Sequence, residues 1–214
     1  MTLTLHYHPL SSFCWKPLVG LYENGVPFTP LLVDLGDAAA RETFAKVWPL
    51  TKFPVLQDDA RDTVVPESSL ILDYLDEHYP GPVRFTPADG DAAWRTRLWD
   101  RVFDNYIQIP MQRIVADRMR PDSQRDARGV ADMRGQIAQA YALVEAQLEG
   151  RTWIAGDFGL ADCAAAPALF YGDKVAPLGS AFPRTAAYLE RLKARASFAR
   201  VLTEAEPYFK FFPQ

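Results

Sequence analysis

Cysteine is nearly absent. The 214-residue chain holds two, Cys14 and Cys163. Two thiols cannot build a disulfide framework or a four-cysteine zinc site. Histidine is scarce as well, with three residues. His6 and His8 alternate and so face one side of a strand, but no third ligand accompanies them, and no metal is expected. No apolar run approaches the roughly 18 residues a membrane-spanning helix needs. The opening MTLTLHYHP lacks the basic stretch and apolar core of a secretory leader. These absences predict a reduced, cytoplasmic setting and no membrane partner. Positive charge is not in excess: 23 Lys and Arg stand against 27 Asp and Glu, a net charge of −4. No basic field is available to hold nucleic acid. Internal repeats and low-complexity tracts are missing too.

What is present is an ordinary globular balance, 49% hydrophobic and 23% charged, enough to bury a sizeable core. The length suits one large domain or two small ones. Residues 2–7 alternate polar and apolar, a period-2 strand that Pro9 stops. Ser11 and Ser12 are natural N-caps for a helix that runs to Asn24-Gly25. A second strand-like run covers 27–35 and a short helix 37–47. Residues 54–57 and 62–65 read as a hairpin, and 67–79 as an amphipathic helix ended by Pro80-Gly81-Pro82. PGPVRFTPADG then reads as a linker, beyond which strand signals vanish. Helical patterns follow at 91–120, kinked at Pro110, and at 123–148, 160–171, 183–194 and 197–206. The tail PYFKFFPQ is aromatic. The expected organisation is an α/β domain at 1–80, a linker at 81–90 and an all-helical domain at 91–214.

Three segments carry chemistry. Ser11-Ser12-Phe13-Cys14-Trp15-Lys16 opens a helix, where unpaired N–H groups and a hydroxyl can stabilise a thiolate held outside. Alone, it reads as a plain N-cap. Lys52-Phe53-Pro54-Val55-Leu56 brings a proline to a strand start. With a cis Phe53–Pro54 bond, the Phe53 backbone would pair with an extended peptide ligand; otherwise it is a strand-opening proline. Pro66-Glu67-Ser68-Ser69 begins a helix, where N–H groups and a hydroxyl can hold a carboxylate and Glu67 an ammonium. Alone, it reads as capping chemistry.

In order and spacing, SSFCWK, WPLTKFPVL, VPESSLILDYLDEHYP and FGLADCAAAPALF resemble the cytosolic glutathione S-transferase superfamily, of the bacterial, serine-turn, zeta- or theta-like kind. The resemblance covers essentially the whole chain. It implies a thioredoxin-like N-terminal domain followed by an all-helical C-terminal domain. It implies glutathione as co-substrate, with Glu67 and Ser68 at the γ-glutamyl end, Phe53 before the family's cis-proline Pro54, and Lys52 or Thr51 near the glycyl carboxylate. Ser11 or Ser12 would face the sulfur. Ser11 stands where redox relatives carry their exposed cysteine, and Cys14 at the shielded position, so Cys14 is expected to be packed and unreactive. The acceptor site would lie between the domains, with Trp99, Phe103, Tyr106, Pro110 and Arg113 as candidates on the kinked helix, and Tyr208, Phe209, Phe211 and Phe212 in the tail. Core packing, tail docking and a solvent salt bridge at Arg113 are the plainer readings.

The implied function is transfer of the glutathione thiolate to an electrophilic small molecule by a homodimer. Alternatives are a glutathione-dependent cis–trans isomerase resembling maleylacetoacetate isomerases, and a non-enzymatic protein-binding module on the same fold. Three departures from the family pattern stand out: Gly159 where Ser or Thr usually precedes Asp162, Pro17 early in the first helix, and Trp48 where Asn commonly precedes Pro49.

Overall fold

The alternating stretch at the start becomes β1, Leu3–Tyr7, in a computed structural model that describes residues 3–213. Leu3 and Leu5 enter the core, and His6 is buried on the opposite face against Phe44. Covering on both faces marks a central strand. The chain continues through α1 (Ser12–Glu23), β2 (Thr29–Leu32), α2 (Ala38–Val47), β3 (Val55–Asp58), β4 (Thr63–Pro66) and α3 (Ser68–His78). The sheet order is β2-β1-β3-β4. β1 runs parallel to β2 and antiparallel to β3, with Leu5 opposite Pro30 and Leu56. This mixed four-stranded sheet with its helices is the thioredoxin-like arrangement. β2 is shorter than the composition of 27–35 suggests. It is an edge strand, all four residues are exposed, and its length is set by pairing with Thr4–Tyr7.

Helices alone follow: α4 (Gly90–Phe103), α5 (Ile109–Arg118), α6 (Ala127–Gln147), α7 (Leu160–Val175), α8 (Pro183–Lys193) and α9 (Ala196–Ala205), then a 3₁₀ tail at Glu206–Phe211. Asp126 caps α6, accepting from the Gly129 N–H at 2.8 Å, so that helix starts later than Ser123. The break expected at Pro110 appears just upstream, as a π turn over Asp104–Gln108. There the Ile109 N–H reaches the Asp104 carbonyl five residues back. Pro110 has no N–H to continue the α ladder, and the wider turn absorbs the loss. No helix among the described residues is long and apolar enough to cross a membrane.

α7 is buried along most of its length and forms the axis of the helical part. Asp162 closes its first turn, taking the Gly159 N–H at 3.0 Å, the Ile154 N–H at 3.2 Å and the Tyr188 hydroxyl. Burial nonetheless pushes its carboxyl up to about 6. The absence of a side chain at 159 has a steric cause. The Leu160 N–H bonds the Phe85 carbonyl at 2.8 Å, and a Cβ on Gly159 would sit 2.6 Å from that oxygen. The linker strand therefore docks where a Ser or Thr would stand.

α1 joins the two parts. It packs against α3, α7 and α9. Its Trp15 ring lies 4.7 Å from Tyr171 and 5.1 Å from Phe170, and its indole N–H bonds the Pro9 carbonyl at 2.6 Å. The next residue, Lys16, is 0% exposed. Its ammonium donates to Asp100 and Asp104 at 2.7 Å each and to Ser69 Oγ at 3.1 Å. A lone charge inside SFCWKPLVGL was the sequence signal for this contact. Removing the ammonium would leave the two buried carboxylates with only the half-exposed Arg101 guanidinium between them. Lys16→Met is expected to lower unfolding free energy by about 3–5 kcal/mol, the cost of breaking a buried pair, measured by urea denaturation.

Candidate functional site

Seven of the residues singled out from the sequence come together in one cleft of about 460 Å³. Ser11, Thr51, Lys52, Phe53, Pro54, Glu67 and Ser68 line it, with Phe13, Trp48, Pro66 and Gln112. Three chain ends build it: the start of α1, the loop before β3 and the start of α3.

The Phe53–Pro54 bond is cis. Phe53 lies outside the β1–β3 ladder, which begins at Val55, and its ring stacks on His8 at 6.1 Å. The residue borders the cleft and takes no part in the ladder. Thr51 and Glu67 both have positive φ, 49° and 70°. Side-chain-bearing residues disfavour that region, and such outliers cluster at ligand sites. Glu67 is the N-cap of α3 but makes no side-chain cap bond, so its carboxylate stays exposed at the cleft. Ser68 begins the helix and is buried beneath it. Carboxylate, helix N-terminus and hydroxyl thus sit side by side, which suits an amino-acid end group.

Ser11 is the N-cap of α1, at φ −76° and ψ 113°, and its side chain caps nothing. The plain capping role is therefore absent, and the hydroxyl is left at the cleft. Cys14, three residues on, is fully buried, and burial pushes its thiol up to about 12, against hydrogen bonds from Ser11 and the His8 backbone. Cys163 is also free and buried. Neither cysteine presents a thiolate at neutral pH.

A second cleft of about 370 Å³ opens on the other side of Ser11. Leu10, Met111, Val115, Ala116, Met119, Tyr171 and the tail residues Phe211, Phe212 and Pro213 line it, with Ser11, Ser12 and Gln112. None of these side chains is charged. The Tyr171 hydroxyl is engaged by the Leu10 carbonyl at 3.1 Å. Ser11 and Gln112 border both clefts; Ser12, nearly buried, borders only the second.

None of the five helix candidates for the acceptor side lines it, and Phe103 and Pro110 are buried. Trp99 is 7% exposed, in the core beside Phe103 at 6.2 Å. Tyr106 is 57% exposed and borders neither cleft. Arg113 lies in a separate groove between α5 and α6, its guanidinium 3.9 Å from Met133 Sδ. Their seven-residue spacing marks one face only on an unbroken helix, and the π turn at 104–108 interrupts that register. The face that does meet the cleft is Gln112, Val115, Ala116 and Met119, at i, i+3, i+4 and i+7. Arg113, one residue round, points elsewhere. In the tail, Phe211 and Phe212 line the cleft, while Phe209 packs on Phe170 and Tyr208 lies edge-on to His8. Gln112 carried no signal in the sequence.

The chain matches two family models, "Glutathione S-transferase, N-terminal domain" over residues 5–83 and "Glutathione S-transferase, C-terminal domain" over 103–196. A glutathione S-transferase from Methylobacterium radiotolerans, solved in complex with glutathione sulfonate, superposes with a TM-score of 0.82 at 30% identity, covering 94% of each chain. Glutathione S-transferase F10 of Arabidopsis thaliana is 28% identical over 94% of this chain and 96% of its own length. A stringent starvation protein A homologue from Haemophilus influenzae is 27% identical over 96% of this chain and 92% of its own.

Glu67 tests the ligand role of the strained turn. Glu67→Gly removes the carboxylate and also relieves the positive φ. The melting temperature is expected to hold or rise, while glutathione affinity by calorimetry falls roughly 10- to 100-fold, the loss of one charged hydrogen bond. Unchanged affinity would sink the assignment.

Proposed function

The chain belongs to the glutathione S-transferase family, and from that premise we propose that it binds reduced glutathione and adds its thiolate to a neutral, apolar electrophile. The observation that carries this reading is the meeting of a polar cleft and an uncharged one at Ser11. In the polar cleft, Glu67 takes the γ-glutamyl ammonium, and the α3 N-terminus with Ser68 takes its carboxylate. The Phe53 backbone pairs with the cysteinyl unit, and Lys52, exposed beside Thr51, approaches the glycyl carboxylate. The sulfur then lies at Ser11, whose hydroxyl and helix N-terminus favour the thiolate. The thiol proton leaves to solvent. The sulfur lone pair forms the new C–S bond as the electrophile's leaving group, or its π pair, takes up the negative charge. A serine rather than a cysteine at this position also favours serine-turn relatives over redox members.

Two other readings are weaker. An isomerase for a maleyl dianion calls for a cation at the acceptor cleft, and the nearest sequence candidate, Arg113, lies outside it. A non-enzymatic role on the same fold gives no reason for both clefts to converge on one serine. Both cysteines being free and buried is in keeping with a cytoplasmic setting.

Ser11→Ala tests the reading. The pKa of bound glutathione is expected to rise towards about 8.5, the ordinary thiol value. The conjugation rate at neutral pH should fall roughly ten- to a thousandfold. Loss on Ser12→Ala instead would move the donor by one residue. We also propose a homodimer through α3 and α4, where Leu70, Trp94 and Leu98 are exposed. Light scattering should give about twice 24.1 kDa; a monomer at micromolar concentration would refute it.

A further inference from the structure

We infer that Gln112 is a specificity-determining residue. On this inference its amide N–H binds the oxygen on which negative charge develops, and the favoured electrophiles are neutral α,β-unsaturated carbonyl compounds. This rests on the transferase reading above. Besides Ser11, Gln112 is the one residue that borders both clefts. Its amide donates to Ser12 Oγ at 3.5 Å, the outer limit of a hydrogen bond, so it is held loosely. Ser12 borders only the uncharged cleft, so the amide is turned to the acceptor side.

The competing donors there are spent, shielded or outside the lining. The Tyr171 hydroxyl donates to Leu10; Arg118 does not line the cleft, and one of its N–H groups donates to the Pro213 carbonyl at 3.0 Å. The Ser12 hydroxyl is 3% exposed, and Ser11 is committed to the sulfur. An amide carries two N–H donors and no charge. It can meet a developing oxyanion without requiring a charged substrate, in surroundings that favour apolar bodies.

In the step concerned, the thiolate lone pair forms a C–S bond at the β-carbon. The C=C π pair moves to the Cα–C(carbonyl) bond, and the C=O π pair moves to oxygen as an enolate. Solvent then delivers a proton to Cα, replacing the one the thiol released. Gln112 donates a hydrogen bond to the enolate oxygen and transfers no proton. A substitution electrophile that expels a halide builds no such oxygen charge, so it gains nothing from the amide.

The experiment compares 4-phenyl-3-buten-2-one with benzyl chloride, both neutral and carrying one phenyl ring, in the wild type, Gln112→Met and Gln112→Glu. The ratio of kcat/KM for the enone to that for benzyl chloride is expected to fall about 10- to 100-fold in Gln112→Met, as for a lost transition-state donor. It should fall further in Gln112→Glu, whose carboxylate repels the enolate. The loss should sit in kcat more than in KM. A ratio that holds while both rates drop equally would overturn the proposal, since that is the signature of a role at the thiolate or in packing. Wild-type turnover of benzyl chloride with no turnover of the enone would overturn it too, leaving the transferase reading intact. Turnover of neither substrate by a wild type that binds glutathione would remove the transferase reading, and this inference with it.

Discussion

The buried ammonium of Lys16 is the contact on which the arrangement of the clefts depends. It reaches from α1 to Asp100 at the end of α4, to Asp104 at the head of the π turn, and to Ser69 in the first turn of α3. Ser69 in turn donates to both Asp100 oxygens, at 3.1 and 2.9 Å. Burying two carboxylates and an ammonium, with Arg101 pairing both carboxylates from the rim, gains little net energy, because desolvation offsets much of the Coulomb attraction. Its consequence is geometrical. Charges in a dry interior must meet their partners, so α1, α3 and α4 can approach in few ways. Those elements carry Ser11, Glu67 with Ser68, and the approach to the acceptor helix. The polar cleft, the uncharged cleft and their junction are thus fixed by one ion cluster that touches none of them directly.

Local rules of chain structure are broken where the clefts are. Glu67 and Thr51 hold φ values that favour glycine, Ser11 sits at a helix start without capping it, and Glu67 likewise leaves α3 uncapped by its side chain. Each forgoes stability, of order 1 kcal/mol per cap or strained residue. Asp37, Asp89 and Asp126 do cap their helices, whereas Phe182 and Arg195 do not, and Asp62 in the β3–β4 turn also has a positive φ of 48°. What sets the cleft apart is that two strained residues and two polar N-caps without cap bonds meet in it, as expected where local preference yields to ligand geometry.

Much of this could be read in the sequence. Strands and hairpin were legible because period 2 and turn residues act locally, and the lining of the polar cleft because three short segments keep their order and spacing. The acceptor side was not legible, for an equally physical reason. Trp99, Tyr106 and Arg113 share a face only if the helix is regular, and the π turn at 104–108 is a tertiary accommodation of Pro110 that no periodicity announces. Gln112 is one polar residue on a mixed helix, and its role appears only when α5 is laid against Ser12. Gly159 looked like a lost cap; packed against the Phe85 carbonyl, it is where the linker must pass.

The acceptor cleft also bears on how a weakly charged surface can select a reaction. Its walls are aliphatic, aromatic and thioether, with Met111 and Met119 able to re-shape around different bodies. Such walls bind substrate and transition state about equally, which lowers KM without raising kcat. Discrimination in the chemical step must come from groups that gain contact as charge moves. In this site the polar side chains that border both clefts are two, Ser11 and Gln112, and on the proposed reading they serve the sulfur and the acceptor. A charged residue in the walls would bind some substrates more tightly in the ground state and would exclude neutral ones by the cost of its desolvation. Leaving the walls uncharged keeps the range of bodies wide, and confines selectivity to what happens where the C–S bond forms.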